Sequence, residues 1–204
     1  MQLTTLQSDI INEFKKYFYP TKTIKQTTNV TITHNKIIQK FSFTKKEKRN
    51  IISEHDRCQI SIGLQQGKTF TIYNIIKSCN EKFHILVTAK SIQYSRVNQF
   101  EEFIKMDELT NDIIVITDVA KYPIDTNKKV ILVTTFKNMK KMETIHPIDL
   151  MIFDEAYKYT VKFIDEIVET VVSNKYLFMT RQPLYGNTGL EDEVKYGKVI
   201  YRTY

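Results

Sequence analysis

The chain has 204 residues, of which 42% are hydrophobic and 26% are charged, a composition typical of a soluble protein with one full core. No apolar run approaches the roughly 18 residues that a membrane span needs. The N-terminus also lacks the basic-then-apolar pattern of a signal peptide, so we expect no membrane partner. The net charge of +7 favours a polyanionic partner such as nucleic acid, although A/T-rich coding sequence produces the same excess of lysine.

Cysteine and histidine usage bears on compartment and metal binding. The two cysteines, Cys58 and Cys79, lie in unpatterned surroundings and predict neither a disulfide framework nor a zinc site. The four histidines are scattered along the chain, so the sequence shows no metal cluster. We therefore expect a reducing, intracellular location, in the cytoplasm, the nucleus or a viral factory.

The first fifty residues differ in pattern from the rest. Residues 5–18 predict an amphipathic helix, because apolar side chains recur at helical spacing and Pro20 follows. Residues 29–38 alternate weakly and predict an edge strand. Residues 41–52 carry the basic run 45–49 and predict a solvated helix face. We expect residues 1–45 to form an appendage of helical and extended structure, and residues 46–204 to form the main domain.

From residue 58 onward, short apolar runs alternate with helical stretches. The runs cover residues 58–64, 83–89, 112–117, 129–135, 150–153 and 176–179, and the helical stretches cover residues 68–79, 91–105 and 161–172. Continuous apolar runs suit strands buried on both faces. The pattern therefore predicts an α/β fold with a mostly parallel central sheet and helices on both faces, and ligands bind such sheets at the carboxyl ends of the strands.

Residues 60–71, Ile-Ser-Ile-Gly-Leu-Gln-Gln-Gly-Lys-Thr-Phe-Thr, have the layout of a strand, a phosphate-binding loop and a helix start. In such a loop Lys68 reaches the β/γ-phosphates of a nucleotide and Thr69 places its hydroxyl on Mg²⁺. The strict pattern asks for glycine at Ile62, so an ordinary strand-to-helix turn is the alternative. The predicted phosphate-binding residues are Leu64, Gln65, Gln66, Gly67, Lys68, Thr69 and Phe70.

A second candidate segment follows the apolar run 150–153. It consists of two adjacent carboxylates, Asp154 and Glu155. A nucleotide-hydrolysing site needs one carboxylate to hold the Mg²⁺ that Thr69 also contacts, and another to orient the attacking water. Strand-terminal acids also cap helices, which is the alternative. We predict Asp154 as a metal ligand and Lys68, Asp154 and Glu155 as catalytic residues.

The segment Asp154-Glu155-Ala156-Tyr157 resembles the DEAD/DEAH-type box of superfamily 2 helicases and translocases. It is most similar to the branch of restriction-enzyme translocase subunits and helicases of large DNA viruses. Further segments resemble other motifs of the family in the same order: residues 85–91 and 97–99 resemble motif Ia, residues 130–136 the strand that touches the nucleic-acid backbone, residues 176–183 motif III, and residues 185–201 the segment that follows it. The resemblance covers roughly residues 45–204.

This resemblance implies the first RecA-like domain of a helicase or translocase, which binds Mg·ATP and hydrolyses it to move on DNA or RNA. It further implies a second RecA-like domain, in cis or in trans, that supplies arginine fingers. The residues implied to touch the sugar-phosphate backbone are Thr88, Ala89, Lys90, Thr134 and Thr135, and the residue implied to couple hydrolysis to movement is Thr180.

The sequence departs from the family pattern at several points. Gln65 stands where the family has glycine, which predicts crowding of the phosphates, and Arg181 and Gln182 stand in place of alanine and threonine in motif III. No adenine-binding glutamine is identified upstream of the loop. Two rival hypotheses stay open: a helicase-like module without hydrolysis that binds nucleic acid or docks proteins, and an unrelated P-loop kinase or transferase, which leaves the Asp-Glu-Ala-Tyr segment without a role.

Overall fold

The computed structural model describes residues 2–34, 37–50, 56–63, 65–121, 127–139, 142, 148–158, 161–181 and 193–202, with the backbone alone for residues 21–50. The predictions for Leu64 and Gln182 fall outside these residues. The strands are β1 Thr21–His34, β2 Ile37–Asn50, β3 Arg57–Ser61, β4 Phe83–Thr88, β5 Ile113–Ile116, β6 Lys129–Thr135, β7 Leu150–Phe153, β8 Tyr176–Thr180 and β9 Lys198–Arg202. The α-helices are α1 Thr5–Phe18, α2 Lys68–Ser78, α3 Lys90–Met106, α4 Phe136–Met139, α5 Val161–Thr170 and α6 Glu193–Tyr196.

Seven strands form the central sheet in the order β5-β6-β4-β7-β8-β3-β9, and the paired neighbours run parallel. The residues of β4, β6, β7 and β8 are almost all buried, as continuous apolar runs require. The predicted α/β fold with a parallel sheet is confirmed. Because the strands are parallel, their carboxyl ends meet at one edge, where the segments after β3, β4, β6, β7 and β8 come together.

The sheet has a hydrophobic core on each face. One core joins α1, α2 and α3 to the sheet and includes Ile72, Phe100 and Ile152. The other joins α4 and α5 to the opposite face and includes Ile167 and Phe153. Neighbours along a strand contribute to different cores, as Ile152 and Phe153 do, because successive side chains of a strand point to opposite faces.

Helix α1 lies on the first of these cores. Its predicted bounds are confirmed, and a capping box forms in which the Thr4 hydroxyl accepts from the backbone N–H of Gln7, while the Gln7 side chain accepts from the backbone N–H of Thr4. Ile10 and Phe14 have no exposed surface. Apolar side chains at this spacing form the buried stripe of an amphipathic helix. The proposed division between residues 1–45 and 46–204 stays a prediction, with α1 part of the core of the α/β domain.

The hairpin of β1 and β2 corrects two predictions about the N-terminal region. The helix predicted over residues 41–52 is wrong, since β2 pairs antiparallel with β1 from Thr21↔Asn50 to His34↔Ile37. The predicted strand over residues 29–38 instead spans the end of β1 and the start of β2. Strand β1 is rich in threonine and β-branched apolar residues, which favour strands. The basic run gives no helical preference strong enough to outweigh this pairing.

Candidate nucleotide site

The loop between β3 and α2 has a backbone that turns through left-handed conformations. Gln65 has φ of 57° and Gly67 has φ of 69°, and α2 begins directly afterwards at Lys68. A Cβ atom on Gly67 would lie 2.3 Å from Nε2 of Gln7 on α1. Glycine is required there both for the positive φ and for this close approach. The loop therefore delivers Lys68 and Thr69 at the N-terminus of a helix, where backbone N–H groups attract anions.

Two glutamines shape the mouth of this loop. The Gln66 side chain reaches back, and its Oε1 accepts a hydrogen bond from the backbone N–H of Gly63 at 3.0 Å. Gln65, by contrast, exposes its side chain and lines the cleft beside Lys68. The residue that departs from the family glycine thus occupies a backbone conformation that favours glycine.

The Asp154–Glu155 pair lies beside the loop at the end of β7. Asp154 is fully buried, and Glu155 has φ of 56°, a conformation that costs energy in residues other than glycine and clusters at functional sites. Lys68 Nζ lies 3.8 Å from Glu155 Oε1, and Lys158 pairs with Glu155 Oε2. The fold therefore brings together the lysine and both carboxylates that the sequence predicted for one site.

Burial and charge act in opposite directions on the ionisable groups of this cleft. Burial lowers the pKa of Lys68, while Asp154 and Glu155 raise it in part. Burial of Glu155 acts to raise its pKa, but Lys158 and Lys68 outweigh that effect and hold the pKa of this carboxyl below its usual value. An ionised Glu155 at neutral pH can accept a hydrogen bond from water.

Arg96 on α3 is a residue of the site that the sequence did not indicate. Its Nε donates to Asp154 Oδ2 at 2.7 Å, and its Nη1 donates to Gln99 Oε1 at 3.2 Å. The other Asp154 oxygen, Oδ1, is buried and has no hydrogen-bond partner among the described residues. The sequence feature that could have indicated Arg96 is a cation three residues before Gln99, between the two segments that resemble motif Ia.

These groups line a cleft of about 330 Å³, within the size range of small-molecule sites. Its lining residues are Gly63, Gln65, Gly67, Lys68, Thr69, Arg96, Glu155 and Arg181. Three cationic side chains and a helix N-terminus suit a polyphosphate. Thr69 and Glu155 bring oxygen atoms to the lining of the cleft, and the buried Asp154 next to Glu155 has an Oδ1 without a hydrogen-bond partner among the described residues. Oxygen ligands are those that Mg²⁺ prefers.

Thr180 and Arg181 place the end of β8 next to the loop. The Thr180 carbonyl accepts a hydrogen bond from the backbone N–H of Ile62 at 3.0 Å, and Thr180 is 1% exposed. Arg181 lines the same cleft as Lys68 and Thr69. The motif III departure at this position therefore adds a guanidinium to the site.

Gln7 is a second residue beside the loop that the sequence did not indicate. The sequence identified no glutamine upstream of the loop as part of the site. Gln7 is 5% exposed and lies against Gly67 through its side-chain amide. The capping-box spacing from Thr4 to Gln7 predicts where α1 begins. Only the packing of α1 beside the loop shows that this glutamine borders the site.

A second cleft, of about 620 Å³, lies at the ends of β4 and β6. It is lined by Thr88, Ala89, Lys90, Gln93, Thr135, Phe136, Lys137 and Asn138. The structure thus brings together four of the five residues predicted to touch nucleic acid. The fifth, Thr134, is fully buried beside Val87 in the register of β4 and β6.

The second cleft is bordered by the buried Thr88 hydroxyl and by the start of helix α3. The Thr88 hydroxyl is buried without a hydrogen-bond partner among the described residues. Lys90 begins α3 and is exposed, and Gln93 Nε2 donates to the Val133 carbonyl at 2.9 Å. Helix α3 therefore borders both clefts, with Lys90 and Gln93 in one and Arg96 in the other.

Other features of the described residues bear on location and cofactors. None of their helices is long and apolar enough to cross a membrane, and none of their histidine, cysteine and carboxylate side chains form a metal-binding group of three or more. Cys58 and Cys79 are both buried free thiols.

The first of three similar solved structures shares this fold. A nuclease-deletion mutant of the Type ISP restriction-modification enzyme LlaGI, in complex with a DNA substrate mimic, aligns with a TM-score of 0.60 and 19% identity, over 98% of this chain and 17% of that one. The UvsW helicase from bacteriophage T4 aligns with a TM-score of 0.47 and 15% identity, over 72% of this chain and 54% of that one. The Sulfolobus solfataricus SWI2/SNF2 ATPase core in complex with dsDNA aligns with a TM-score of 0.44 and 17% identity, over 70% of this chain and 30% of that one.

The family comparison covers most of the chain. No curated protein sequence matches it, and it spans about 17% of the length of the LlaGI chain. The family described as Type III restriction enzyme, res subunit, matches residues 7–183. The match begins at Gln7, the residue that packs against the loop. With this match and a RecA-like sheet, the chain belongs to the Type III restriction enzyme res subunit family and has the fold of the first RecA-like domain of superfamily 2 helicases.

Proposed function

We propose that this chain is the ATP-binding domain of a superfamily 2 helicase or translocase that uses Mg·ATP hydrolysis to move on nucleic acid. The observation that carries the proposal is the 3.8 Å approach of Lys68 Nζ to Glu155 Oε1, beside the buried Asp154. Two segments far apart in the sequence converge here on the constellation that phosphoryl-transfer chemistry needs.

The loop would bind the triphosphate through backbone N–H groups of residues 65–70 and through Lys68 at the β/γ-phosphates; the predicted contact of Leu64 belongs to the same loop. Lys68 would exchange its contact with Glu155 for the more highly charged phosphates. Thr69 and Asp154 Oδ1 would hold Mg²⁺, which when bound offsets negative charge on the phosphates. The side-chain amide of Gln7, next to Gly67, would support the loop from the side of α1.

Glu155 would orient the attacking water. Its carboxylate is ionised because Lys158 and Lys68 hold its pKa low, so it can accept a hydrogen bond from the water and position it for attack on the γ-phosphate. The energetically costly backbone conformation of Glu155 supports a functional role. Thr180 is the proposed coupling residue; it lies within the motif III segment, and its carbonyl accepts a hydrogen bond from the backbone N–H of Ile62 just before the loop.

The second cleft would hold the sugar-phosphate backbone of DNA or RNA. Lys90 at the start of α3 and Lys137 on α4 offer cationic donors, and Thr135 at the end of β6 offers a hydroxyl; such contacts are independent of sequence and sensitive to salt. Because Thr88 and Thr134 are both fully buried, their proposed contribution would come from the backbone. A second RecA-like domain, in cis or in trans, would complete this track and supply arginine fingers.

The alternative is a helicase-like module that binds ligands without hydrolysis. It is favoured by the existing partners of both carboxylates, since Arg96 binds Asp154 and Lys158 binds Glu155. Calorimetric titration with Mg·ATP, paired with phosphate release measured with and without single-stranded DNA or RNA, separates the two. Binding with release supports the enzyme, and binding without release in the presence of either single strand supports the module. A wild-type chain that shows no binding at millimolar Mg·ATP contradicts the proposed nucleotide site.

A further inference from the structure

Arg96 binds the carboxylate that is predicted to hold the metal. The Arg96 Nε lies 2.7 Å from Asp154 Oδ2, and the side chain of Asp154 is 0% exposed while that of Arg96 is 14% exposed. Gln99 holds the guanidinium from a second direction, through Nη1 at 3.2 Å. The pair is a fixed, nearly buried ion pair, a class in which removal of one partner leaves a costly uncompensated charge.

The pair uses only one of the two Asp154 oxygens. Oδ2 accepts from Arg96, whereas Oδ1 is buried without a hydrogen-bond partner among the described residues. Arg96 also lines the nucleotide cleft together with Lys68 and Thr69. A single guanidinium therefore neutralises the buried carboxylate and at the same time borders the space that phosphates would enter.

We propose that Arg96 is a positioning residue that holds Asp154 and allows the cleft to bind a nucleoside triphosphate without Mg²⁺. This inference rests on the proposed ATP site. An incoming triphosphate and a buried carboxylate repel each other, and a divalent cation that binds both relieves that repulsion. Arg96 relieves part of it permanently, because its positive charge is already placed at Asp154.

A counter-ion with a purely structural role would behave differently. It would stabilise the fold, but its removal would not change how ATP affinity depends on Mg²⁺. The ratio between ATP affinity in Mg²⁺ and ATP affinity in EDTA therefore distinguishes the two roles.

The test is calorimetric titration of ATP, in excess Mg²⁺ and in EDTA, into wild type, Arg96→Met and Arg96→Lys. The matched control is Arg57→Met, which removes an arginine that pairs with Asp56 at 3.4 Å and begins β3 at the opposite end of that strand from the loop. We expect Arg96→Met to lower ATP affinity in EDTA by about tenfold or more, and by less than about threefold in Mg²⁺. Arg96→Lys should retain most of the metal-free affinity, and Arg57→Met should change neither value.

Thermal unfolding without nucleotide checks the pair independently of ATP. The double variant Arg96→Met/Asp154→Asn should be less destabilised than the sum of the two single variants, since it removes both charges together. If Arg96→Met does not fold, Arg96→Gln, which keeps an N–H donor for Asp154 Oδ2 but removes the positive charge, replaces it in the titrations with the same expected result.

Three results would overturn the inference. Equal loss of affinity in Mg²⁺ and in EDTA, or no loss in either, refutes the role of Arg96 alone. Wild type that binds Mg·ATP but not ATP in EDTA also refutes it and leaves the proposed function intact. Wild type that binds ATP in neither condition overturns the proposed function and this inference with it.

Discussion

Gln7 on α1 packs against Gly67 in the loop between β3 and α2 so closely that a Cβ on Gly67 would lie 2.3 Å from Gln7 Nε2. The same residue caps α1 by accepting a hydrogen bond from Thr4. Helix α1 thereby contacts the loop at Gly67, a residue that has no side chain. The conformation of the loop and the packing of α1 are consequently linked.

Gly67→Ala should therefore weaken both stability and nucleotide binding. The left-handed φ of 69° costs an alanine about 1–2 kcal/mol, and Gln7 must move to make room. We expect the free energy of unfolding in urea to fall by about that amount and Mg·ATP affinity to fall with it. Gly63→Ala is the control for the unfolding measurement, since Gly63 is not among the positive-φ glycines and the nearest atoms to its Cβ would belong to the flexible Gln66 side chain. Equal losses in the free energy of unfolding for the two variants would contradict the link.

Gln65→Gly should stabilise the loop conformation and raise the affinity for Mg·ATP. Gln65 has φ of 57°, which glycine adopts without the steric cost that other residues bear. We expect Gln65→Gly to be more stable than Gln65→Ala by about 1 kcal/mol in urea denaturation, and to bind Mg·ATP more tightly than wild type because a side chain is removed from the cleft. Tighter binding by Gln65→Ala with no further gain from glycine would assign the effect to side-chain size alone.

His84 should make stability fall as the pH is lowered. Burial is the main cause that lowers the pKa of His84 from 6.5 to about 4; Lys129 acts in the same direction, and the Glu81 carbonyl and Asp149 act to raise it. In the unfolded chain, His84 takes up a proton as the pH falls below its ordinary pKa of 6.5. In the folded chain, His84 stays neutral down to about pH 4. The stability present above pH 6.5 is therefore lost between pH 6.5 and 4, by about 1.4 kcal/mol per pH unit.

His84→Gln tests this assignment, because glutamine does not titrate in that range and its amide can donate to the Glu81 carbonyl that His84 Nε2 contacts at 2.9 Å. Urea denaturation at several pH values should show a shallower decline for the variant between pH 6.5 and 4. Parallel profiles would show that other groups cause the decline.

Lys90 and Lys137 should set the salt dependence of nucleic-acid binding. Both are exposed and line the second cleft, and each phosphate contact that is lost reduces the slope of log affinity against log salt by about 1. We expect the double alanine variant to bind single strands more weakly and with a slope reduced by about 1–2. Lys105→Ala, at the far end of α3 and also exposed, should leave the slope unchanged. A flat salt response of wild type would contradict this interface.

The parts of the fold that were predicted correctly are those with strong local patterns. The apolar runs of β4, β6, β7 and β8 and the spacing of Ile10 and Phe14 in α1 are properties of short segments. The β1–β2 hairpin was not predicted, because β1 alternates only weakly and β2 carries the basic run 45–49, so neither segment has a strong local apolar pattern. Arg96 was not predicted for a different reason, since its contact with Asp154 depends on how α3 lies against the end of β7.

The proposed nucleotide site also follows this division. Gly67-Lys68-Thr69 and Asp154-Glu155 carry their chemistry in residue type and order, so their convergence was predictable once the sheet was taken as parallel. The roles of Gln7 and Arg181 depend on packing between segments, and residue type alone does not indicate them.

The most direct test of the central claim is a calorimetric titration of Mg·ATP into wild type, Lys68→Ala and Lys77→Ala. Lys77 lies on the same helix and pairs with Asp107 at 2.8 Å, outside the cleft. Loss of a charged contact to phosphate should weaken binding by Lys68→Ala about tenfold or more, and binding by Lys77→Ala should stay within about twofold of wild type. No binding by wild type at millimolar Mg·ATP, or Lys68→Ala indistinguishable from wild type, would contradict the claim that this cleft is a nucleotide site.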